Sequence, residues 1–177
     1  MSIRQLSLEP LTKDRFAPFG DVIEIAGHSG FQINDGMATR YHDLARIDVS
    51  QEQGRPIVSI VTARPNTPPY LVNCLQRYPL SSQAFVPLTG HPFIVVVAEA
   101  EADTAAAPKR LSAFVTDGKQ GVNYRPGIWH HTLIVPNNDA VFLAIDRGGP
   151  GKNCDQHWFA QEDRVLLVQA DASDGTS

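Results

Sequence analysis

Gly121-Val-Asn-Tyr-Arg-Pro-Gly-Ile-Trp-His-His-Thr-Leu-Ile-Val135 and, after a short turn, Ala140-Val-Phe-Leu-Ala-Ile-Asp-Arg-Gly-Gly149 form the stretch that decides the fold. Pro126-Gly127 predicts a tight turn, because proline presets φ and glycine accepts a positive φ. The aromatic, His and β-branched residues that follow predict a strand, and residues 136–139 predict a second turn before another apolar run. The two runs are therefore expected to pair as an antiparallel β-hairpin.

Two adjacent histidines lie on the first of these predicted strands. Because side chains alternate between the faces of a strand, His130 is expected to share a face with Ile128 and Thr132. His131 is expected to share the opposite face with Trp129 and Leu133. On this pattern only one of the two histidines points into a given pocket.

The rest of the chain predicts about ten short strands bounded by Gly and Pro turns, with one short helical turn near the N-terminus capped by Thr12. Residues 56–64 predict a core strand, and residues 93–98 predict a strand covered on both faces because they show no alternation. This pattern is typical of an all-β domain, a small antiparallel β-barrel of the jelly-roll kind, over residues 1–170. Residues 99–108 are expected to form a mobile surface loop and residues 171–177 a disordered tail.

Composition excludes several classes of protein. The 177 residues carry a formal net charge of −4 without clustered Lys or Arg, which argues against nucleic acid as a partner. No apolar run is long enough to cross a bilayer, and residues 1–11 lack the pattern of a signal peptide, so we expect a cytoplasmic protein without a membrane partner. Cys74 and Cys154 lack metal-type spacing and are expected to be free thiols.

The spacing of two turns adds a more specific interpretation. Gln83 lies seven residues before Gly90, and Gly127 precedes His130, which resembles the layout of the two cupin motifs. Cupins normally hold a metal with a His-x-His pair and a Glu from the first motif, where this chain has Arg77, Pro79 and Gln83. The usual ligand set is therefore absent, although His130 is the first candidate ligand for any metal, with His42 or Asp146 as partners that only folding could bring near.

A narrower resemblance rests on motifs spread along the chain. They are Ile-Asn-Asp-Gly at 33–36, Arg-Tyr-His-Asp-Leu at 40–44, Ser-Gln-Ala-Phe-Val-Pro at 82–87, the apolar run at 93–98, Gly-Val-Asn-Tyr at 121–124, Trp-His-His at 129–131, Asp-Arg-Gly-Gly at 146–149 and Asn-Cys at 153–154. From about residue 8 to residue 154, the chain resembles the ureidoglycolate lyase family. The resemblance implies cleavage of (S)-ureidoglycolate to glyoxylate and urea in allantoin degradation. It also implies a cupin-type barrel, a homodimer, and nickel or another divalent metal as cofactor.

The substrate defines what such a site requires. Ureidoglycolate carries a hydroxyl and a ureido nitrogen on one carbon beside a carboxylate, so its cleavage needs a base, a proton donor and a cation. His130 is the preferred base, because a neutral imidazole is available near neutral pH. His131 is a second acid/base candidate, and the amide of Gln83 is expected to face inward and bind a substrate oxygen or NH.

Arginine is the preferred partner for the substrate carboxylate, because a guanidinium can donate two parallel hydrogen bonds to it. Arg77 is the first choice, since it occupies a slot that faces the pocket in cupins, and Arg40, Arg125 and Arg147 are alternatives. Asp146 is expected to pair with Arg147 or to orient a histidine, with the pairing preferred. Tyr124 of the Gly-Val-Asn-Tyr motif is a further substrate-binding candidate.

Two rival functions remain open from the sequence: a metal-dependent cupin isomerase or oxygenase acting on another small acid, and a non-catalytic barrel that binds a small anion. A hydrolase that releases ammonia is disfavoured, because the chain shows neither a two-metal His/Asp cluster nor a Gly-x-Ser-x-Gly elbow. The expected products are intact urea and glyoxylate in equal amounts.

Overall fold

The computed structural model describes residues 3–99, 108 and 110–169. The predicted tail at 171–177 and nearly all of the predicted loop at 99–108 lie outside these residues. One helical turn, α1, spans Lys13–Phe16, and two 3-10 turns span Gln51–Gln53 and Gln161–Asp163. The strands are β1 Arg4–Pro10, β2 Gly20–Ile23, β3 Phe31–Ile33, β4 Ala38–Arg40, β5 Arg55–Ala63, β6 Leu71–Val72, β7 Cys74–Arg77, β8 Gln83–Pro87, β9 Ile94–Ala98, β10 Leu111–Val115, β11 Gly121–Tyr124, β12 Trp129–His130, β13 Ala140–Gly148, β14 Asp155–Trp158 and β15 Val165–Gln169.

The strands form two main sheets and one small hairpin. The larger sheet has the order β14-β7-β12-β9-β10-β1-β15-β6, the smaller has the order β2-β11-β8-β13-β5, and β3 pairs with β4. Pairing is antiparallel except that β1 runs parallel to both of its neighbours. The predicted all-β class is confirmed. So is the predicted N-terminal helical turn, whose cap Thr12 accepts a hydrogen bond from the backbone N–H of Arg15.

Strand β9 lies at the centre of the packing. One of its faces contributes Val95 and Val97 to a core cluster that includes Phe142 of the smaller sheet. Its other face contributes Ile94, Val96 and Ala98 to a second cluster on the far side of the larger sheet. The prediction of a strand covered on both faces is therefore confirmed, and each face buries apolar surface that drives folding.

The predicted hairpin is wrong. Strand β12 is only two residues long and pairs with β7 and β9 in the larger sheet, whereas β13 pairs with β5 and β8 in the smaller sheet. Only an isolated bridge between Ile134 and Ile94 continues the pairing after β12. The turn at residues 136–139 thus carries the chain from one sheet to the other, which places the two motifs on facing walls.

The predicted core strand at 56–64 is also corrected. Strand β5 is the edge of the smaller sheet, and the side chains of Val58 and Ile60 are 67% and 60% exposed. Cys74 is buried and Cys154 partly buried, and both are free thiols. Within the described part of the chain, no helix is long and apolar enough to span a membrane.

Candidate active site

Two adjoining cavities open where the sheets face each other. The first, the histidine pocket, has a volume of about 360 Å³ and is lined by Val61, Ala63, Gln76, Tyr78, Gln83, Phe85, Tyr124, His130, His131, Thr132, Leu133 and Asp146. The second, the loop pocket, has a volume of about 470 Å³ and is lined by Ile57, Tyr78, Ser81, Gln83, Asp146, Arg147, Lys152, Asn153 and Cys154. Tyr78, Gln83 and Asp146 line both pockets and form the wall that they share.

A chain of hydrogen bonds links the two sheets across this wall. The Nε2 atom of His130, on β12, lies 3.0 Å from Oε1 of Gln83 at the start of β8. The Nε2 atom of Gln83 donates to Oδ1 of Asp146, on β13, at 2.7 Å. The other ring nitrogen of His130, Nδ1, lies 2.9 Å from the carbonyl oxygen of Ile128. Three residues from different motifs are thus held in one line, as the cupin layout indicated for His130 and Gln83.

The protonation state of His130 decides which of its two ring contacts is a hydrogen bond that it donates. With both ring nitrogens facing oxygen atoms, His130 needs two N–H groups, which only the imidazolium has. Burial opposes that state and lowers the pKa of His130 to about 4, outweighing the hydrogen bond to Ile128. The neutral imidazole therefore has a single N–H to donate, to either the carbonyl oxygen of Ile128 or Gln83.

Two tyrosine rings fix the orientation of the His130 imidazole. Tyr124 stacks on it with ring centroids 4.0 Å apart and planes inclined by only 4°, and Tyr78 stacks at 5.8 Å and 26°. Tyr124 is fully buried, and burial raises the pKa of its phenol well above the ordinary value. The predicted site residue Tyr124 therefore lines the pocket as a neutral ring that stacks on His130.

His131 lines the same pocket, which corrects the expectation that only one histidine could do so. The regular alternation of faces ends with the two-residue strand β12, and the backbone beyond it turns the next side chain inward as well. The Nδ1 atom of His131 donates to the carbonyl oxygen of Thr132 at 2.8 Å. Its Nε2 atom is buried and has no hydrogen-bond partner among residues 3–99, 108 and 110–169. A neutral imidazole that donates from Nδ1 carries its lone pair on Nε2, and burial favours this neutral form by lowering the pKa of His131.

Arg77 lies outside both pockets, contrary to expectation. Its Nε atom donates to Oδ2 of Asp155 at 3.0 Å, and its guanidinium carbon lies 4.7 Å from the ring centroid of Trp129. Its neighbours Gln76 and Tyr78 line the histidine pocket instead. Adjacent residues of a strand project to opposite sides of the sheet. The prediction was therefore wrong by one position in the sequence, because the residues on either side of Arg77 face the pocket and Arg77 faces away from it.

Arg147 bonds to the main chain rather than to Asp146. Its Nε and Nη2 atoms donate to the carbonyl oxygens of Gln51, Glu52 and Pro150, which ties together two loops beside the loop pocket. The preferred Asp146–Arg147 pair is therefore wrong, since Asp146 accepts from Gln83. No carboxylate pairs with Arg147 in the described part of the chain, so its charge contributes positive potential to the loop pocket, together with that of Lys152.

The other two candidate arginines line neither pocket. Arg40 is the exposed last residue of β4, and Arg125 borders a separate cavity beside Lys13. The sequence patterns did not indicate Tyr78, Gln76 or Lys152 as site residues. For Tyr78 and Gln76 a signal existed, because the alternation of β7 that turns Arg77 away from the pocket turns both of its neighbours toward it.

The pocket does not present the ligand set of a divalent metal site. No group of three or more His, Cys, Asp or Glu side chains that could hold a metal ion occurs in the described ranges. Gln83 stands between His130 and Asp146, and a neutral amide is a weak ligand for a transition metal. The residues present therefore do not fit the nickel or other divalent ion that the family resemblance implies.

Comparison with known proteins gives a consistent result. The sequence model of the family described as Ureidoglycolate lyase matches residues 3–166. Among similar curated proteins, the ureidoglycolate lyase of Pseudomonas aeruginosa (strain UCBPP-PA14) is 47% identical over 165 residues, covering 93% of this chain and 96% of the relative. The ureidoglycolate lyase of Azotobacter vinelandii is 48% identical over 165 residues, covering 93% and 98%.

The matches among solved structures are more distant. A dTDP sugar isomerase from Desulfovibrio desulfuricans G20 matches with a TM-score of 0.47 and 14% identity, covering 82% of this chain and 87% of its own. An epimerase from Mycobacterium tuberculosis matches with a TM-score of 0.46 and 14% identity, covering 91% and 74%.

Proposed function

The chain belongs to the ureidoglycolate lyase family and is a ureidoglycolate lyase, and we propose that its histidine and loop pockets together perform the cleavage of (S)-ureidoglycolate to glyoxylate and urea. The observation that carries the proposal is His131, which lines the histidine pocket and whose buried Nε2 atom is unpaired within the described residues, next to a second cavity lined by Arg147 and Lys152. The resemblance based on the Trp-His-His and Asp-Arg-Gly-Gly motifs is confirmed.

The reaction needs no added water. Removal of the hydroxyl proton lets the carbon–oxygen double bond form, and the carbon–nitrogen bond then breaks with its electrons on the nitrogen of urea. The enzyme must supply a proton acceptor for the hydroxyl, a donor for the nitrogen, and positive charge for the carboxylate.

We assign the proton acceptor to Nε2 of His131. Both ring nitrogens of His130 already face hydrogen-bond partners, and tyrosines stack on its ring, whereas Nε2 of His131 has no partner in the described part of the chain. Because burial lowers the pKa of His131, this nitrogen is unprotonated near pH 7. A positioned base of this kind accelerates such steps by about 10²–10⁴-fold.

We assign the binding of the ureido group and the hydroxyl of the substrate to the hydrogen-bonded line from His130 through Gln83 to Asp146. Gln83 has a donor and an acceptor, so its amide can bind either an oxygen or an N–H group of the substrate. His130, held by stacking on Tyr124, fixes one end of the amide. Both residues thus stay catalytic candidates with a role in positioning the substrate.

The substrate carboxylate is assigned to the loop pocket. Arg147 contributes a buried positive charge there, and Lys152 is exposed and pairs with Asp155 at 3.3 Å. A surface ion pair of this kind contributes only about 0–1 kcal/mol, so Lys152 can exchange Asp155 for a substrate carboxylate at little cost.

Product analysis tests the function. The purified protein is expected to convert ureidoglycolate to equal amounts of glyoxylate and urea, with ammonia appearing only after urease is added. His131→Asn should lower kcat by about 10²-fold or more, whereas His42→Asn, at an exposed histidine outside both pockets, should not. Ammonia release without urease would overturn the lyase reaction, and an active His131→Asn variant would overturn the assignment of the base.

We also propose that the protein is a homodimer and that the outer face of the smaller sheet is its interface. Val58 pairs with Ile145 and Ile60 with Leu143 in the register of β5 and β13, so these four side chains share one face. Exposed apolar patches of this kind mark interfaces between chains.

Sedimentation of a matched pair of variants tests the interface. Ile60→Glu should yield monomers, whereas Ile25→Glu, at a residue 63% exposed outside this face, should leave the dimer intact. A wild-type monomer, or a dimeric Ile60→Glu variant, would contradict the proposal.

A further inference from the structure

We propose that Tyr78 is the catalytic acid that protonates the departing urea nitrogen, an assignment that rests on the proposed function. Tyr78 is one of three side chains that line both pockets, and the other two, Gln83 and Asp146, are joined to each other by a hydrogen bond. Its phenol therefore lies at the junction between the cavity assigned to the carboxylate and the cavity that holds the base.

The position of Tyr78 is fixed by its backbone and its ring. It follows directly after β7, and its carbonyl oxygen accepts hydrogen bonds from the backbone N–H groups of Gly127 and Ser81 at 2.9 and 3.3 Å. Its ring stacks on His130. Its hydroxyl donates to Oε1 of Gln76 at 3.4 Å, a long bond that a closer substrate acceptor can replace. The side chain is thus held in place while its proton remains available.

The chemistry of the phenol fits an acid rather than a base. An ordinary tyrosine has a pKa of about 10, and burial raises the pKa of Tyr78, with the nearby Cys154 acting in the same direction. Tyr78 therefore keeps its proton at neutral pH. Gln83, which lines both pockets beside Tyr78, acts in the opposite direction and lowers the pKa of the phenol, so a group that stabilises the phenolate is already in place when the proton leaves.

The step balances with two residues and the substrate. The hydroxyl proton moves to Nε2 of His131, and the O–H electron pair becomes the second bond of the aldehyde carbonyl. The carbon–nitrogen electron pair moves to nitrogen, which takes the proton from the oxygen of Tyr78. His131 is left as imidazolium and Tyr78 as phenolate, and one proton transfer from the first to the second restores the enzyme.

The test compares Tyr78→Phe with the control variant Tyr70→Phe. In the wild type the hydroxyl of Tyr70 donates to the carbonyl oxygen of Pro136, and Tyr70 lines neither pocket. With ureidoglycolate, Tyr78→Phe should lower kcat by about 10²–10⁴-fold and leave KM nearly unchanged, while Tyr70→Phe should keep normal turnover. With the adduct of glyoxylate and acetylurea, whose nitrogen needs less protonation as it leaves, the deficit of Tyr78→Phe should shrink by about tenfold or more.

A merely structural role predicts the same deficit on both substrates, and that result would overturn the assignment. If Tyr78→Phe fails to fold, 3,5-difluorotyrosine can be incorporated at position 78 instead. Its phenol is more acidic, so the alkaline limb of the pH profile of kcat should move to lower pH. An alkaline limb that does not move would also overturn the assignment. An active wild type with an equally active Tyr78→Phe variant would overturn this assignment alone. A wild type that releases no urea would overturn the proposed function as well.

Discussion

The buried imidazole of His130 makes the folded protein sensitive to mild acid. His130 is 4% exposed, and burial lowers its pKa to about 4 in the folded chain, against about 6.5 in an unfolded chain. Between these two values the unfolded chain binds a proton that the folded chain does not. The free energy of unfolding should therefore fall as the pH drops from about 6.5 to about 4. Below about pH 4, His130 should contribute little further change.

The size of the effect follows from the two pKa values. Their difference of about 2.5, at about 1.4 kcal/mol for each pH unit, corresponds to about 3 kcal/mol in total. Between pH 7 and pH 5 alone, the loss through His130 is about 2 kcal/mol. His131, whose pKa is also lowered by burial, adds a loss of the same sign.

Unfolding in guanidinium chloride at pH 7 and pH 5, at one protein concentration, measures this loss. His130→Phe keeps a ring that can stack on Tyr124 but removes the titrating group, so its loss between the two pH values should be smaller by about 2 kcal/mol. His42→Asn, at an exposed histidine, should lose as much as the wild type. An equal loss in His130→Phe would refute the reasoning, because it would mean that Gln83 and Asp146 hold His130 as the imidazolium in the folded protein.

Two further predictions concern the residues around the pocket. Arg77→Ala should lower the free energy of unfolding by about 1–2 kcal/mol, since it removes the partly buried pair with Asp155 and the contact with Trp129. Its KM for ureidoglycolate should stay within about twofold, and a clear rise would restore Arg77 as the carboxylate ligand. Asp146→Asn keeps an acceptor for Gln83 but removes a negative charge from the wall that both pockets share, so steady-state kinetics should show kcat reduced by about tenfold or more with folding intact. Full activity would remove Asp146 from the mechanism.

Local patterns in the sequence were sufficient for several features. Alternation and turn residues indicate an all-β chain, and the unbroken apolar run at residues 93–98 indicates burial on both faces, because these properties depend only on neighbours in sequence. The cupin layout was also enough to bring His130 and Gln83 together. The family motifs lie on walls of the site, so the function could be predicted before the architecture was known.

Only the tertiary structure decided which strands are neighbours and which way single side chains point. The predicted hairpin failed because a two-residue strand carries too little pattern to identify its partners, and the strands beside β12 come from distant parts of the chain. Arg77 was placed in the pocket instead of Tyr78 because the side-chain period of a strand is two residues, so a displacement of one position exchanges the buried face for the outer one. Asp146 meets Gln83 across 63 positions of sequence. Such a contact depends on the global pairing of the sheets, which the residues adjoining Asp146 do not encode.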